Sequence, residues 1–191
     1  VMTPRTLLGR MDQRFKLLAT MGGRQDRQAT LRATFDWSWD LLNDAEKAAL
    51  AQLSVFEGGF TLQAAEAVLD LKACADPPWA VDVVHSLVDK SFVRPRSDAR
   101  FDMLVSVQEY AAEHLNAPGH YTGSGPDGAI AAQVRHGCHF GRPGQAATAT
   151  GAGSDLENIV AACRRAVTRD DGELAVHLLE HFQCPGHAHR Q

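Results

Sequence analysis

Apolar residues recur three or four positions apart through most of the chain. Leu7, Leu8, Met11, Phe15 and Leu18 form one such series, which predicts a helix over 4–19 with one apolar face. Thr3 followed by Pro4 suits an N-cap and a first helical position. Leu31, Phe35, Trp39 and Leu42 predict a second helix over 29–42. Asn43 then starts a third, because Asn43 with Glu46 three positions on is a capping-box pair; Ala49, Leu50 and Leu53 form its inner face. Glu57-Gly58-Gly59 is a stop, and Thr61 caps a helix carrying Leu62, Ala65, Val68 and Leu69 on one side. Pro77-Pro78 opens a further helix through Lys90, with Val81, Val84, Leu87 and Val88 inward.

The period then changes. Residues 92–94 and 100–103 are short extended runs joined by a polar link, Pro95 to Ala99, and are expected to pair as a β-hairpin. Val107, Ala111 and Leu115 restore the helical period over 105–115. Residues 118–128 hold four glycines and two prolines, a linker composition. A helix is expected over 129–140, then a second stretch rich in small residues over 141–153. Ser154 with Glu157 repeats the capping-box pattern and places Leu156, Ile159, Val160 and Cys163 on a buried face. Asp170-Asp171-Gly172 ends that helix, and 173–182 is its partner in an αα-hairpin.

Helices, a short hairpin and a closing helix, in this order, describe a winged helix. The hairpin is too small to be stable alone and must pack on the helices. The expected fold is therefore mainly α, a winged-helix domain between helical segments. Its parts are a helical segment over 1–28, the winged helix over 29–117, a linker with a possible helix over 118–153, and a C-terminal helical array from 154.

Composition narrows the function classes. The 191 residues are 45% hydrophobic and 22% charged, ordinary for a soluble globular protein. A net charge of -4 does not favour a nucleic-acid binder, which needs surplus lysine and arginine. No apolar run approaches the roughly 18 residues of a membrane span. The first residues lack a signal-peptide pattern. The four cysteines are scattered without a CxxC pair, so reduced, mostly buried thiols in a cytoplasmic protein are expected.

Particular stretches then carry a resemblance. Thr30 to Leu42, TLRATFDWSWDLL, resembles the TLRAxxDWSYDLL stretch of bacterial signal-transduction ATPases of the STAND class, relatives of the NB-ARC proteins. Leu53 to Leu62 resembles their LSVFxGGFxL, and Leu87 to Ser91 their LVDKSLV. Met103 to Leu115 is similar to LLETVRxYAxExL, and Arg135-His136 with Phe140 to RHAxxF. Asp155 to Ile159 resembles the ELDNLRAAL that opens their tetratricopeptide-like repeats. The six stretches occur in order. The resemblance implies that this chain follows the nucleotide-binding domain of a signalling or transcriptional regulator, with the C-terminal part, 154–191, starting a tetratricopeptide-like array. It implies ATP or ADP in the parent protein, contact with the neighbouring nucleotide-binding domain, a protein or small-molecule signal on the repeats, and DNA bound only through another domain.

Candidate chemistry is sparse. No GxxxxGK[ST] loop is present in the sequence, so the phosphate cradle of a P-loop is missing and no enzymatic activity or cofactor is expected of this chain. Where related NB-ARC proteins carry a Met-His-Asp motif that reaches the nucleotide, this chain has Met103, Leu104 and Val105, of which Met103 and Leu104 are expected as core. Lys90, Arg94, Arg96 and Arg100 are the candidate phosphate contacts if the wing binds DNA, the alternative reading; Asp82 and Asp89 on the preceding helix oppose it. His177 to His181 matches HxxEH, whose two histidines share a helix face and can chelate zinc, with Cys184, His187 and His189 nearby. Its expected use is none, catalytic or structural. Trp39 falls on the apolar stripe of its helix and is expected in the core, whereas Trp37 lies off it.

Overall fold

The computed structural model describes residues 25–74, 76–96, 99–141 and 152–180. The helix expected over 4–19 and the histidines beyond 180 lie outside them. The chain divides into two compact units, 1–42 and 43–191.

In the first unit, α1 (Gln25–Asp40) begins earlier than the periodicity suggested. Trp39 and Leu42 are buried as expected, and Trp37 and Leu41 are exposed.

The second unit opens on the capping box. The Asn43 side chain accepts from the Glu46 N–H, and Glu46 accepts from the Asn43 N–H, which satisfies two otherwise free donors at the start of α2 (Asp44–Leu53). The Glu46 carboxylate is almost fully buried and also accepts from Ser86 Oγ at 2.5 Å and Lys90 Nζ at 2.6 Å. Burial pushes its pKa up, but the bonds from Lys90, Ser86 and Asn43 outweigh that and hold it below the usual value. One side chain thus caps α2 and ties it to α4 (Ala80–Asp89).

Between them lie β1 (Phe60–Thr61) and α3 (Leu62–Val68), which is capped by the Thr61 hydroxyl as the sequence indicated. After α4, β2 (Arg94–Pro95) and β3 (Arg100–Asp102) pair antiparallel, and β3 also pairs with β1, giving the order β1-β3-β2. The expected hairpin is present but shorter. Phe92 and Val93 are buried in the turn that follows α4 rather than laddered. β1 was not anticipated, because two residues cannot display a period of two. Then follow α5 (Val105–Asn116), α6 (Pro126–Phe140), α7 (Ala152–Thr168) and α8 (Gly172–Glu180). The described residues are therefore mainly helical with one small antiparallel sheet, and none of their helices is long and apolar enough to cross a membrane.

α2 packs against α4 and α5, α3 against α4 and α6, and α6 against α5 and α7. Leu50, Leu53, Phe60, Val68, Val84, Leu87, Tyr110 and Leu115 are the large side chains at the centre of this core. Inside α4 the buried positions are Val83, Val84 and Leu87, with Val81 and Val88 only half-buried.

Four expectations change. α6 starts at Pro126, inside the expected linker, because proline fits the first helical position, where its missing N–H costs nothing. Ser154 lies inside α7 rather than capping it. The buried face of α7 is Asn158, Ala161, Ala162 and Ala166, whereas Leu156 is 45% and Val160 51% exposed; small side chains let α7 approach α6 closely, which turns the apolar stripe outward. The cysteines among the described residues are not buried, since Cys138 is exposed and Cys74 and Cys163 are intermediate.

Candidate functional site

The most elaborate polar arrangement in the described residues joins the stop at Glu57-Gly58-Gly59 to α7. Both glycines hold the left-handed backbone, φ 84° and 85°, a region costly for other residues. A Cβ at Gly59 would lie 2.6 Å from the Phe101 carbonyl oxygen, so the close approach of this turn to β3 requires glycine. The turn leaves backbone groups that no helix or strand satisfies.

Asn158, fully buried on α7, supplies them. Its Oδ1 accepts from the Glu57 N–H at 2.7 Å, and its Nδ2 donates to the Gly59 carbonyl at 2.8 Å. His136 of α6, also fully buried, places Nε2 3.2 Å from the same Oδ1. Since Oδ1 can only accept, Nε2 carries the proton, and the imidazole is the neutral Nε2–H tautomer. Its Nδ1 is then a bare acceptor, buried without a partner among the described residues. Phe56 packs edge-on and Phe140 tilted against the imidazole, with centroids 5.1 Å and 4.9 Å from it, and the two phenyl rings are edge-on to each other. Burial, and then the charge of Arg165, hold the His136 pKa down to about 3.

Ion pairs surround this centre. Glu57 Oε1 accepts from Arg164 at 2.8 Å and Arg165 at 3.2 Å. Arg165 Nη1 also donates to the Val55 carbonyl at 2.7 Å. Arg100 on β3 is 6% exposed, pairs with Asp155 of α7 at 2.8 Å and donates to the Gly59 carbonyl at 3.2 Å. The turn, β3, α6 and α7 are thereby held as one piece. These bonds and ion pairs tie α7 to the turn and to the sheet; the arrangement contains no nucleophile paired with a base.

Of the residues singled out as phosphate contacts, Arg100 belongs to this joint, and Lys90, Arg94 and Arg96 lie apart from it. Lys90 is paired with Glu46, Arg94 with Asp102 at 2.8 Å, and Arg100 with Asp155. Arg96 is exposed, and its backbone N–H bonds the Arg100 carbonyl. Met103 is half-buried and Leu104, expected as core, is 47% exposed, because it sits at the N-cap of α5 with Val105 beside it. His177 is exposed on α8 and Glu180 is the last residue of that helix; His181 and Cys184 lie outside the described residues, among which no group of three or more potential ligands could hold a metal. Asn158 and His136 were missed as a pair. They stood within two of the quoted stretches, but no spacing rule links positions on separate helices.

Similar proteins are mycobacterial and include proteins named as HTH-type transcriptional regulators. One, from Mycobacterium tuberculosis, is 38% identical over 122 residues, 62% of this chain and 14% of that protein. Uncharacterized proteins of Mycobacterium tuberculosis and Mycobacterium bovis are 35% identical over 156 residues, 80% of this chain and 38% of theirs. The chain thus spans less than two fifths of the length of these relatives. No family model matches the chain, and no solved structure matches it.

Proposed function

We propose that this chain is a non-catalytic regulatory segment of a transcriptional regulator of the STAND type, in which residues 43–117 form a winged helix and α7–α8 open a tetratricopeptide-like array. The order α2-β1-α3-α4-β2-β3-α5, with β3 between β1 and β2, supports the winged helix. The resemblance of the sequence, and relatives named as HTH-type regulators, support the regulatory role. In this reading the parent protein binds ATP or ADP in a domain outside this chain, and a signal on the helical array is relayed to that domain. The observation that carries the relay is the joint at Asn158: the array and the wing share hydrogen bonds and ion pairs, so one does not move without the other. Glu57→Gln keeps the backbone bond to Asn158 while removing the charge that holds Arg164 and Arg165. In a longer protein carrying this segment behind a nucleotide-binding domain, that variant is expected to change the nucleotide exchange rate by about fivefold, the low end of ordinary coupling energies. An unchanged rate would count against the relay.

The second reading is direct DNA binding by the wing, and the names of the relatives sit nearer to it. The ion pairs at Lys90, Arg94 and Arg100 weigh against it, since each of these charges is already neutralised by a neighbour. Fluorescence anisotropy with a labelled duplex is expected to show no saturable binding by the 191-residue chain at physiological salt. Submicromolar binding that weakens steeply with salt, and is lost in Arg94→Gln/Arg96→Gln, would replace the first reading by the second.

A further inference from the structure

A cavity of about 350 Å³ opens between the segment after α3 and the 121–128 region. Its wall is drawn tight by Gly128, where any side chain would collide with the Gly123 carbonyl. Gln52 fixes the opposite wall, donating to the Asp70 carbonyl at 2.9 Å and accepting from the Asp70 N–H at 2.7 Å. Neither wall is free to collapse into the space.

Three hydrogen-bond donors line it with capacity to spare. Arg135 is half-buried; its Nε donates to the Val68 carbonyl at 2.6 Å and its Nη2 to Gln52 Oε1 at 3.0 Å, while Nη1 has no acceptor among the described residues. The Tyr121 hydroxyl is buried without any hydrogen-bond partner and lies close enough to Arg135 for the two to feel each other's charge. Burial pushes its pKa up to about 12, so it remains a donor. The Lys72 side chain is exposed at the rim. Asp70 supplies the single acidic side chain in the lining, and its carboxylate accepts from the Lys72 backbone N–H. Two cations and a hydroxyl therefore outweigh one engaged carboxylate. The Asp70 carboxylate acts on the Arg135 charge, yet it leaves the Tyr121 hydroxyl without an acceptor, and a buried donor left without an acceptor is costly.

We propose that this cavity is a binding site for a small oxyanion, a phosphate or carboxylate group, held by Arg135, Tyr121 and Lys72. The volume is at the small end of ligand pockets, about 300 to 1,000 Å³, which suits a free anion or a compact metabolite and not a nucleotide. The site is independent of the regulatory reading, since it needs only the fold of residues 43–141.

The test titrates the full chain with inorganic phosphate and, separately, malonate, following binding by calorimetry and by thermal shift. Saturable millimolar binding of at least one anion is expected; preference for phosphate or malonate identifies the phosphoryl or carboxylate source. Arg135→Gln is expected to abolish binding but also removes the ties to Val68 and Gln52. Two further variants separate binding from folding. Tyr121→Phe discards an unpartnered hydroxyl, so without anion its melting temperature is expected to equal or exceed the parent's, while its affinity falls about tenfold, the loss of one hydrogen bond to a charged group. Lys72→Gln is expected to leave the melting temperature unchanged and weaken binding severalfold. No saturable binding of either anion, or binding unaltered in both Tyr121→Phe and Lys72→Gln, would overturn the proposal.

Discussion

Asn158→Leu is expected to destabilise the protein by about 3–4 kcal/mol. Leucine has nearly the shape of asparagine, so the change opens no cavity. It removes the acceptor of the Glu57 N–H and of His136 Nε2–H, and one donor to the Gly59 carbonyl. That carbonyl keeps Arg100 Nη2 at 3.2 Å, so the cost falls mainly on the other two groups. A buried group left unsatisfied costs about 1–3 kcal/mol, and two such groups give the figure. Against a total stability of roughly 5–15 kcal/mol for a domain, the loss is large. Urea unfolding followed by circular dichroism should show the midpoint falling with the slope unchanged. Asn158→Asp keeps the acceptor but cannot donate to Gly59, and buries a charge, so it should also destabilise. If the leucine variant unfolds at the parent's midpoint, the joint does not hold α7 to the turn.

The second large effect is on pH. His136 has a folded pKa of about 3 against an ordinary 6.5, because burial and Arg165 disfavour the imidazolium. The unfolded chain therefore takes up a proton near pH 6.5 that the folded chain refuses, so protons favour unfolding. The full contribution is present above pH 6.5 and is lost as the pH falls toward 3. The slope is about 1.4 kcal/mol per pH unit, so about 2 kcal/mol should be gone at pH 5. Groups facing the imidazole are Asn158 and Arg165 of α7 and His139 of its own helix; Asn158 Oδ1 favours the charged form and the other two oppose it. Glu46 acts in a lower window: its folded pKa is depressed, so its contribution persists above about 4.5 and fades below. His136→Gln, which can still donate to Asn158, is expected to flatten the stability profile between pH 6.5 and 5. A slope in that interval unaltered by the substitution would assign the effect to another group.

Much of the helical order could be read from the chain alone. Caps were legible where the signal is local and chemical: Asn43 with Glu46, and Thr61 before Leu62, need only residues three apart. The hairpin was visible as a break in the helical period, but its third strand was not, since Phe60 and Thr61 are identified as β1 only by their pairing with Phe101 and Arg100. The face of α7 was misassigned for a related reason. Periodicity assumes that the most apolar stripe is buried, yet here Asn158 and three alanines face inward, a preference set by a turn about a hundred positions earlier. The candidate phosphate contacts were chosen by charge, and charge alone does not say that Arg94 faces Asp102 or that Arg100 is buried against Asp155. The Tyr121 cavity left no trace in sequence, because its residues come from four separate stretches.

The joint at Asn158 also bears on how the chain reaches this structure. Glu57 and Asn158 are 101 positions apart, and Val55 and Arg165 are 110 apart. Closing so long a loop costs only modestly more entropy than closing a short one, but these contacts reward the chain only once both ends are in place. During synthesis the turn at Glu57 emerges long before α7, and its backbone donors stay hydrated until the C-terminal helices arrive. The part built from α2 to α5 and the small sheet is thus left unsealed for the time needed to translate about a hundred residues, and α7 is the segment that completes it.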